Sequence, residues 1–202
     1  MKKLLIATRN PGKFGEIKNF LADLPIEVAS LSDLKIQEDV EETGKSYAEN
    51  AKKKALFFAK KSELPTLADD SGIEIEALGR KPGKNTRRWL GYEMTDEEII
   101  SHLYKISKEL GRNRRAHFIS TVCLALPNGQ FFLETGDTQG IIAEKPSTKR
   151  TKGYPFRSFF YLEPIKKFFF EDNLTDEEQK LYNHRYKAIS KLKPIIKKVL
   201  SI

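Results

Sequence analysis

An α/β fold, a mixed sheet with flanking helices, is predicted from three observations. Through the first half, short apolar runs alternate with stretches whose apolar residues recur at helical spacing. Near the middle, residues 115–126 alternate with Phe118, Val122, Leu124 and Leu126 on one face, and Pro127-Asn128-Gly129 turns them into residues 130–135, a hairpin signal. Hydrophobic residues make up 39% of 202 and charged ones 32%, which suits one soluble globular domain, residues 1–202, with a sizeable core.

Residues 3–8 read as a buried strand, followed by Arg9-Asn10-Pro11-Gly12-Lys13 and a helix carrying Phe14, Ile17, Leu21 and Leu24 from near Gly12 or Lys13. A helix N-terminus after a strand offers N–H groups and a positive dipole end to an anion, with Thr8, Asn10 and Lys13 around it. An ordinary strand–helix connection is the other reading, and no Gly-Lys-Ser/Thr pattern is present. A second strand is expected at 27–30, then an acidic loop, 38–44. Ser46 and Glu49 form a capping-box pattern opening a helix to about Lys61, with Tyr47, Ala51, Ala55, Phe58 and Ala59 on its apolar face and Lys54 close to it.

Leu67-Ala68-Asp69-Asp70-Ser71-Gly72-Ile73 reads as a strand ending, a tight turn, and a second strand beginning. Adjacent carboxylates repel, and a magnesium ion would remove that repulsion. Plain turn chemistry would also account for Asp-Asp-Ser-Gly.

Beyond a Gly/Pro-rich loop at 79–83, Thr95 and Glu98 form a second capping box, and Ile99, Leu103, Ile106 and Leu110 a stripe ending at Gly111. His102 is expected at the surface. Residues 140–143 continue the sheet as a further run, an aromatic run spans 154–161, and a short helix opens at 175–178. The final helix begins near Asn183 as N-cap, and Pro194 should kink it or end its first half. His184 and Arg185 would occupy its first turn, where the macrodipole disfavours positive charge; an anion or acceptor there would explain the placement, and chance placement on an exposed surface is the other reading.

The net charge is +8, but the basic residues are widely spread and form no basic-aromatic stripe. A phosphorylated small molecule suits them better than nucleic acid. No apolar run is long enough for a membrane span, and the start of the chain is too short in apolar residues for a secretory segment. The single cysteine, Cys123, reads as core rather than nucleophile and fits a reducing cytoplasm.

Taken in order, Thr8-x-Asn10-x-x-Lys13, Glu41-Glu42-Thr43-Gly44-x-Ser46-x-x-Glu49-Asn50-Ala51-x-x-Lys54-Ala55, Leu67 to Gly72, Pro82-Gly83 and His184-Arg185 form a set that resembles the inosine triphosphate pyrophosphatase family. The resemblance covers nearly the full length. It implies an elongated, twisted mixed sheet with two lobes around a central cleft, a homodimer, and a need for Mg2+. The implied reaction is hydrolysis of a non-standard purine nucleoside triphosphate (ITP, dITP or XTP) to monophosphate and pyrophosphate, water attacking the α-phosphorus.

By position, the resemblance makes Thr8, Asn10 and Lys13 a phosphate-holding loop, with Lys13 also catalytic. Glu42 becomes a metal-associated glutamate and Lys54 a lysine facing the phosphates. Asp70 is implied as general base and metal-linked carboxylate, Asp69 as its helper at the metal, and Ser71 as a substrate contact. Arg88 and Tyr154 are implied as substrate contacts, as are His184 and Arg185.

The C-terminal half departs from the family pattern. Arg157 stands where the family has an aspartate, Lys84-Asn85 replace an apolar-aromatic pair, and Gln179 replaces a lysine that reappears one place on as Lys180. Arginine at 157 presents donors instead of acceptors. The alternatives are therefore the same chemistry on a different or modified nucleotide, or a nucleotide sensor without turnover.

Overall fold

The computed structural model describes residues 2–202. Its elements are β1 (Lys2–Ile6), α1 (Pro11–Phe20), β2 (Ile26–Ser30), α2 (Tyr47–Ser62), β3 (Thr66–Ile75), β4 (Lys81–Gly83), α3 (Asp96–Glu109), β5 (Arg115–Ala125), β6 (Phe131–Ile142), β7 (Phe160–Leu162), β8 (Lys167–Phe168), α4 (Asp176–Tyr182) and α5 (His184–Leu200), with short 3-10 turns between. Among the described residues the eight strands form one mixed sheet in the order β2-β1-β3-β5-β6-β7-β8, with β4 on β3. β1 pairs in parallel with β2 and β3; β3–β4, β6–β7 and β7–β8 are antiparallel.

The chain divides into two compact units. One comprises the chain through Ser71, Ser120–Gly136 and His184–Ile202; the other comprises Gly72–Ile119 and Asp137–Asn183. In the first, the period-two alternation of the strands sorts side chains onto two helix layers. Leu4, Ile6, Leu67, Val122 and Leu124 pack with Ile17 of α1 and Ala188, Ile189 and Leu192 of α5. Their neighbours Leu5, Ala7, Ala68, Cys123 and Ala125 pack with Ala51, Ala55, Phe58 and Ala59 of α2. The second unit has one core, in which Ile99, Ile100 and Leu103 of α3 meet Ile73, Ile75, Ile142 and a cluster of phenylalanines.

Both capping boxes of the second unit form, at Thr95–Glu98 and Thr175–Glu178. The Ser46 box is only half made: Ser46 Oγ accepts from the Glu49 N–H, but Glu49 Oε2 accepts from Lys45 N–H. His102 is half-buried, standing edge-on to Trp89 with 4.8 Å between ring centroids. α5 runs through Pro194 as one helix.

Two strand expectations are corrected. Residues 67–73 are not strand, turn, strand: β3 is continuous from Thr66 to Ile75. Extended backbone points Asp69 and Asp70 to opposite faces, so their repulsion imposes no turn. Gly72 is required for a close approach instead of a turn, since a Cβ there would lie 2.1 Å from the Gly83 carbonyl oxygen of β4. Likewise the runs expected at 130–135 and 140–143 are joined in one strand, β6, from Phe131 to Ile142. Its glycines are clearances: a Cβ at Gly136 would meet the His184 carbonyl at 1.9 Å, and one at Gly140 the Phe160 ring at 2.7 Å.

Candidate active site

β3 brings three polar residues in succession into the first unit. Asp69 and Ser71 face α1 and α5; Asp70 faces α2.

On the α1/α5 face the carboxylates are already paired. Asp69 Oδ2 accepts from Arg185 Nε at 3.2 Å and Nη2 at 3.1 Å, and Lys13 Nζ stands 3.2 Å from it. Arg185 Nη2 also donates to Ser71 Oγ at 3.1 Å, and Nη1 to Glu16 Oε2 at 2.5 Å. Glu16, Asp69 and Arg185 are almost wholly buried. With Lys13 they make two positive and two negative charges, so the group is formally neutral, as burial demands. The Arg185 contacts supply an anion at the first turn of α5, and supply it from within the protein. Gly136 makes this possible, because its missing side chain lets the start of α5 lie against β6.

Burial pushes the Asp69 carboxyl up, but Lys13, Arg185 and Lys54 outweigh burial and hold it far below the usual carboxylate range. Lys13 is lowered, chiefly by burial, with Arg185 and Lys54 adding repulsion against the pull of Asp69. Asp69 Oδ1 is buried with no hydrogen-bond partner among the described residues.

The α2 face is different. Asp70 Oδ2 accepts from Asn50 Nδ2 at 2.9 Å, and Oδ1 from the Ser71 N–H at 2.9 Å. Asn50 Oδ1 in turn accepts from the Gly44 N–H at 2.7 Å. Lys54 Nζ donates to Glu42 Oε1 and to the Asp69 backbone carbonyl, both at 2.6 Å. Burial raises the Asp70 carboxyl and the Glu42 charge adds to it, outweighing Lys54 and Asn50. Lys54 loses to burial but gains more from Glu42, Asp69 and Asp70, and is raised.

Asp69 Oδ2 thus lies with Lys13 and Arg185, on the face of β3 opposite Asp70 and Asn50. Among the described residues no group of three or more His, Cys, Asp or Glu side chains is gathered for a metal ion. Glu42 and Asp70 nonetheless fit magnesium, which takes one or two protein carboxylates and completes its shell with water and phosphate oxygens.

The loop before α1 also differs from expectation. Asn10 is the N-cap: its Oδ1 accepts from the N–H groups of Gly12 and Lys13, and Thr8 Oγ1 accepts from the Asn10 N–H. Those N–H groups are already satisfied, so what the loop offers an anion is the Lys13 ammonium, the Thr8 hydroxyl, the Asn10 amide nitrogen and the dipole.

In the second unit, Arg157 is buried with its guanidinium 3.8 Å from the Tyr154 ring centroid and 5.2 Å from that of Phe169. Arg88 is exposed at the end of a 3-10 turn. Lys180 pairs with Glu177 on the exposed side of α4, while Gln179 is buried, donating to the Glu171 carbonyl and accepting from Asn183 Nδ2. The Asn183 amide nitrogen thus turns back onto α4.

Glu16 and Asn50 had no role assigned from sequence. Glu16 follows Lys13 by three in a helix, the spacing that puts both on one face. Asn50 lies one turn before Lys54 on α2.

The model of the Ham1 family matches residues 4–195. A dITP/XTP pyrophosphatase of Thermoanaerobacter pseudethanolicus is 36% identical over 198 residues, 98% of each chain. One from Thermus thermophilus is 38% identical over 191 residues, 94% of this chain and 89% of that protein. The chain belongs to the Ham1 family. The fold agrees: the structure of a HAM1 protein from Coxiella burnetii superposes with a TM-score of 0.81 at 30% identity, covering 98% of this chain and all of the other. The Staphylococcus aureus Ham1 protein gives 0.78 at 31%, covering 98% and 99%. Ham1 membership agrees with the resemblance carried by the motifs from Thr8 to Arg185.

Proposed function

We propose that this chain hydrolyses a non-standard purine nucleoside triphosphate, of the dITP, XTP or ITP kind, to the monophosphate and pyrophosphate. It is a nucleoside triphosphate pyrophosphatase, in keeping with its family relatives. The observation that carries the residue assignments is the asymmetry of β3. One carboxylate, Asp69, is locked among cations, and the other, Asp70, is raised by burial and held by two neutral donors.

Asp70 orients the attacking water and takes its proton as the new P–O bond forms at the α-phosphorus. The bond to the bridging oxygen breaks, and pyrophosphate leaves with that electron pair. Asn50 and the Ser71 N–H hold the Asp70 carboxylate in one orientation, and Lys54 and Lys13 place positive charge toward the phosphates. Mg2+ held by Glu42 and Asp70 would neutralise phosphate charge and lower the pKa of a bound water. A homodimer and a cytoplasmic setting belong to the same reading. No helix is long and apolar enough to cross a membrane among the described residues.

A second reading of the substrate rests on Arg157. Its guanidinium covers one face of Tyr154, which the family resemblance makes a substrate contact, and puts a positive charge beside it. That arrangement favours a base or substituent rich in acceptor oxygens.

A pyrophosphate-release screen over a nucleotide panel with magnesium tests both readings. Asp70→Asn should lower kcat by about 10²–10⁴-fold. Unchanged turnover in that variant would remove the base assignment, and no release from any nucleotide would favour a sensor. If Arg157→Ala leaves the order of preference among ITP, XTP and the common nucleotides unchanged, the second reading falls.

A further inference from the structure

Residues 36–44, between β2 and α2, contain neither helix nor strand, yet they carry Glu42. Such a segment has no ladder to fix it, so its position depends on what holds its backbone. Arg9, in the loop after β1, donates through Nη2 to the carbonyls of Gln37 at 2.6 Å and Glu38 at 2.7 Å. Lys53 of α2 donates through Nζ to the Glu41 carbonyl at 2.9 Å and to Thr43 Oγ1 at 3.1 Å. The two Lys53 contacts therefore bracket Glu42 in sequence. The next residue, Lys54, reaches Glu42 itself. The far end of the loop is pinned where the Gly44 N–H meets Asn50, and a Cβ at Gly44 would lie only 2.6 Å from Asn50 Oδ1.

We propose that Arg9 and Lys53 are positioning residues that clamp this loop by its backbone and so set the Glu42 carboxylate beside Lys54 and Asp70. Both bind main-chain or hydroxyl oxygens rather than the carboxylate, so neither competes with a cation for Glu42. Both are exposed, and exposed contacts contribute little to global stability, so removing them leaves the fold standing. What changes is how often Glu42 is in place. The inference rests on the assignment of Glu42 and Asp70 to a divalent cation.

The test compares the full chain with Arg9→Met/Lys53→Met, and with Arg9→Lys/Lys53→Arg as the conservative pair. In the metal-free protein, hydrogen exchange of residues 38–44 should accelerate in the Met variant and return toward the parent rate in the conservative one. Manganese binding, read by electron paramagnetic resonance, should weaken about tenfold in the Met variant, as for loss of a residue orienting a metal ligand. In turnover, the metal concentration for half-maximal rate should rise by a similar factor while kcat at saturating metal changes far less. Loop exchange or manganese binding unchanged from the parent would overturn the proposal. So would a fall in kcat without a shift in metal dependence. Glu42→Gln is the control for the underlying assignment: if it binds manganese as the parent does, that assignment has failed, whatever the clamp variants show.

Discussion

Asp69 and Asp70 are adjacent in sequence and equally buried, but their partners and the direction of their pKa shifts differ. Asp69 exchanges water for Lys13 and Arg185, and removing one partner of such a buried pair typically costs about 3–5 kcal/mol. Asp69→Asn should therefore destabilise strongly at neutral pH. Because the folded-state carboxyl is depressed, its contribution is complete above the ordinary value of 3.8 and declines as pH falls below it. Denaturant titrations should show the gap between parent and variant narrowing from pH 7 to pH 3; a gap that widens toward acid would contradict the pairing. Lys54 was legible in the sequence because it falls close to the apolar face of its helix, and Lys13 because it opens the helix that follows the first strand. Glu16 was not, since a glutamate next to a helical stripe reads as solvated until α5 supplies Arg185 from 169 residues away. Asp69 reads from sequence as a helper beside Asp70 because adjacency suggests a shared site, and the pleated strand turns the two side chains to opposite faces.

At the level of elements, the helices were the most legible part. Capping residues and apolar stripes are local signals, and α2, α3 and α4 start where their caps predict. The strands β3 and β6 were divided too finely because glycine within a run suggests a break. Gly72, Gly136 and Gly140 serve approach by other chain segments, which local pattern does not reveal. Two alanine substitutions separate the roles of glycine. Gly136→Ala should destabilise by about 1–3 kcal/mol and disturb Arg185, since its Cβ would collide with the His184 carbonyl. Gly15→Ala, inside α1 with open space around it, should stabilise by about 0.5–1 kcal/mol. Thermal melts of the two side by side decide it, and equal effects would mean that Gly136 is not a clearance.

Over the whole molecule, the fold class was legible from alternating periodicities, whereas the sorting of chain segments into two compact units was not, because it depends on which strand segments share a core. Cys123 reports on one of those cores. It is fully buried in the layer against α2, and burial pushes its thiol up to about 12. A raised thiol contributes stability that is complete below the ordinary value of 9.0 and is lost as pH rises toward 12. From pH 9 to 11 the parent should lose up to about 1.4 kcal/mol per pH unit more than Cys123→Ala. An aromatic disulfide reagent should react with the native thiol only as fast as the unit opens; rapid labelling at pH 8 would contradict its burial. The long-range wiring of the first unit also bears on synthesis. Arg185 lies 116 residues after Asp69 and 169 after Glu16, so a growing polypeptide exposes both carboxylates long before their guanidinium leaves the ribosome. Any product interrupted before residue 185 holds two acids with half of their counter-charge missing. For such a fragment, closing the core means protonating or hydrating them, so incomplete chains are disfavoured from adopting a finished-looking site.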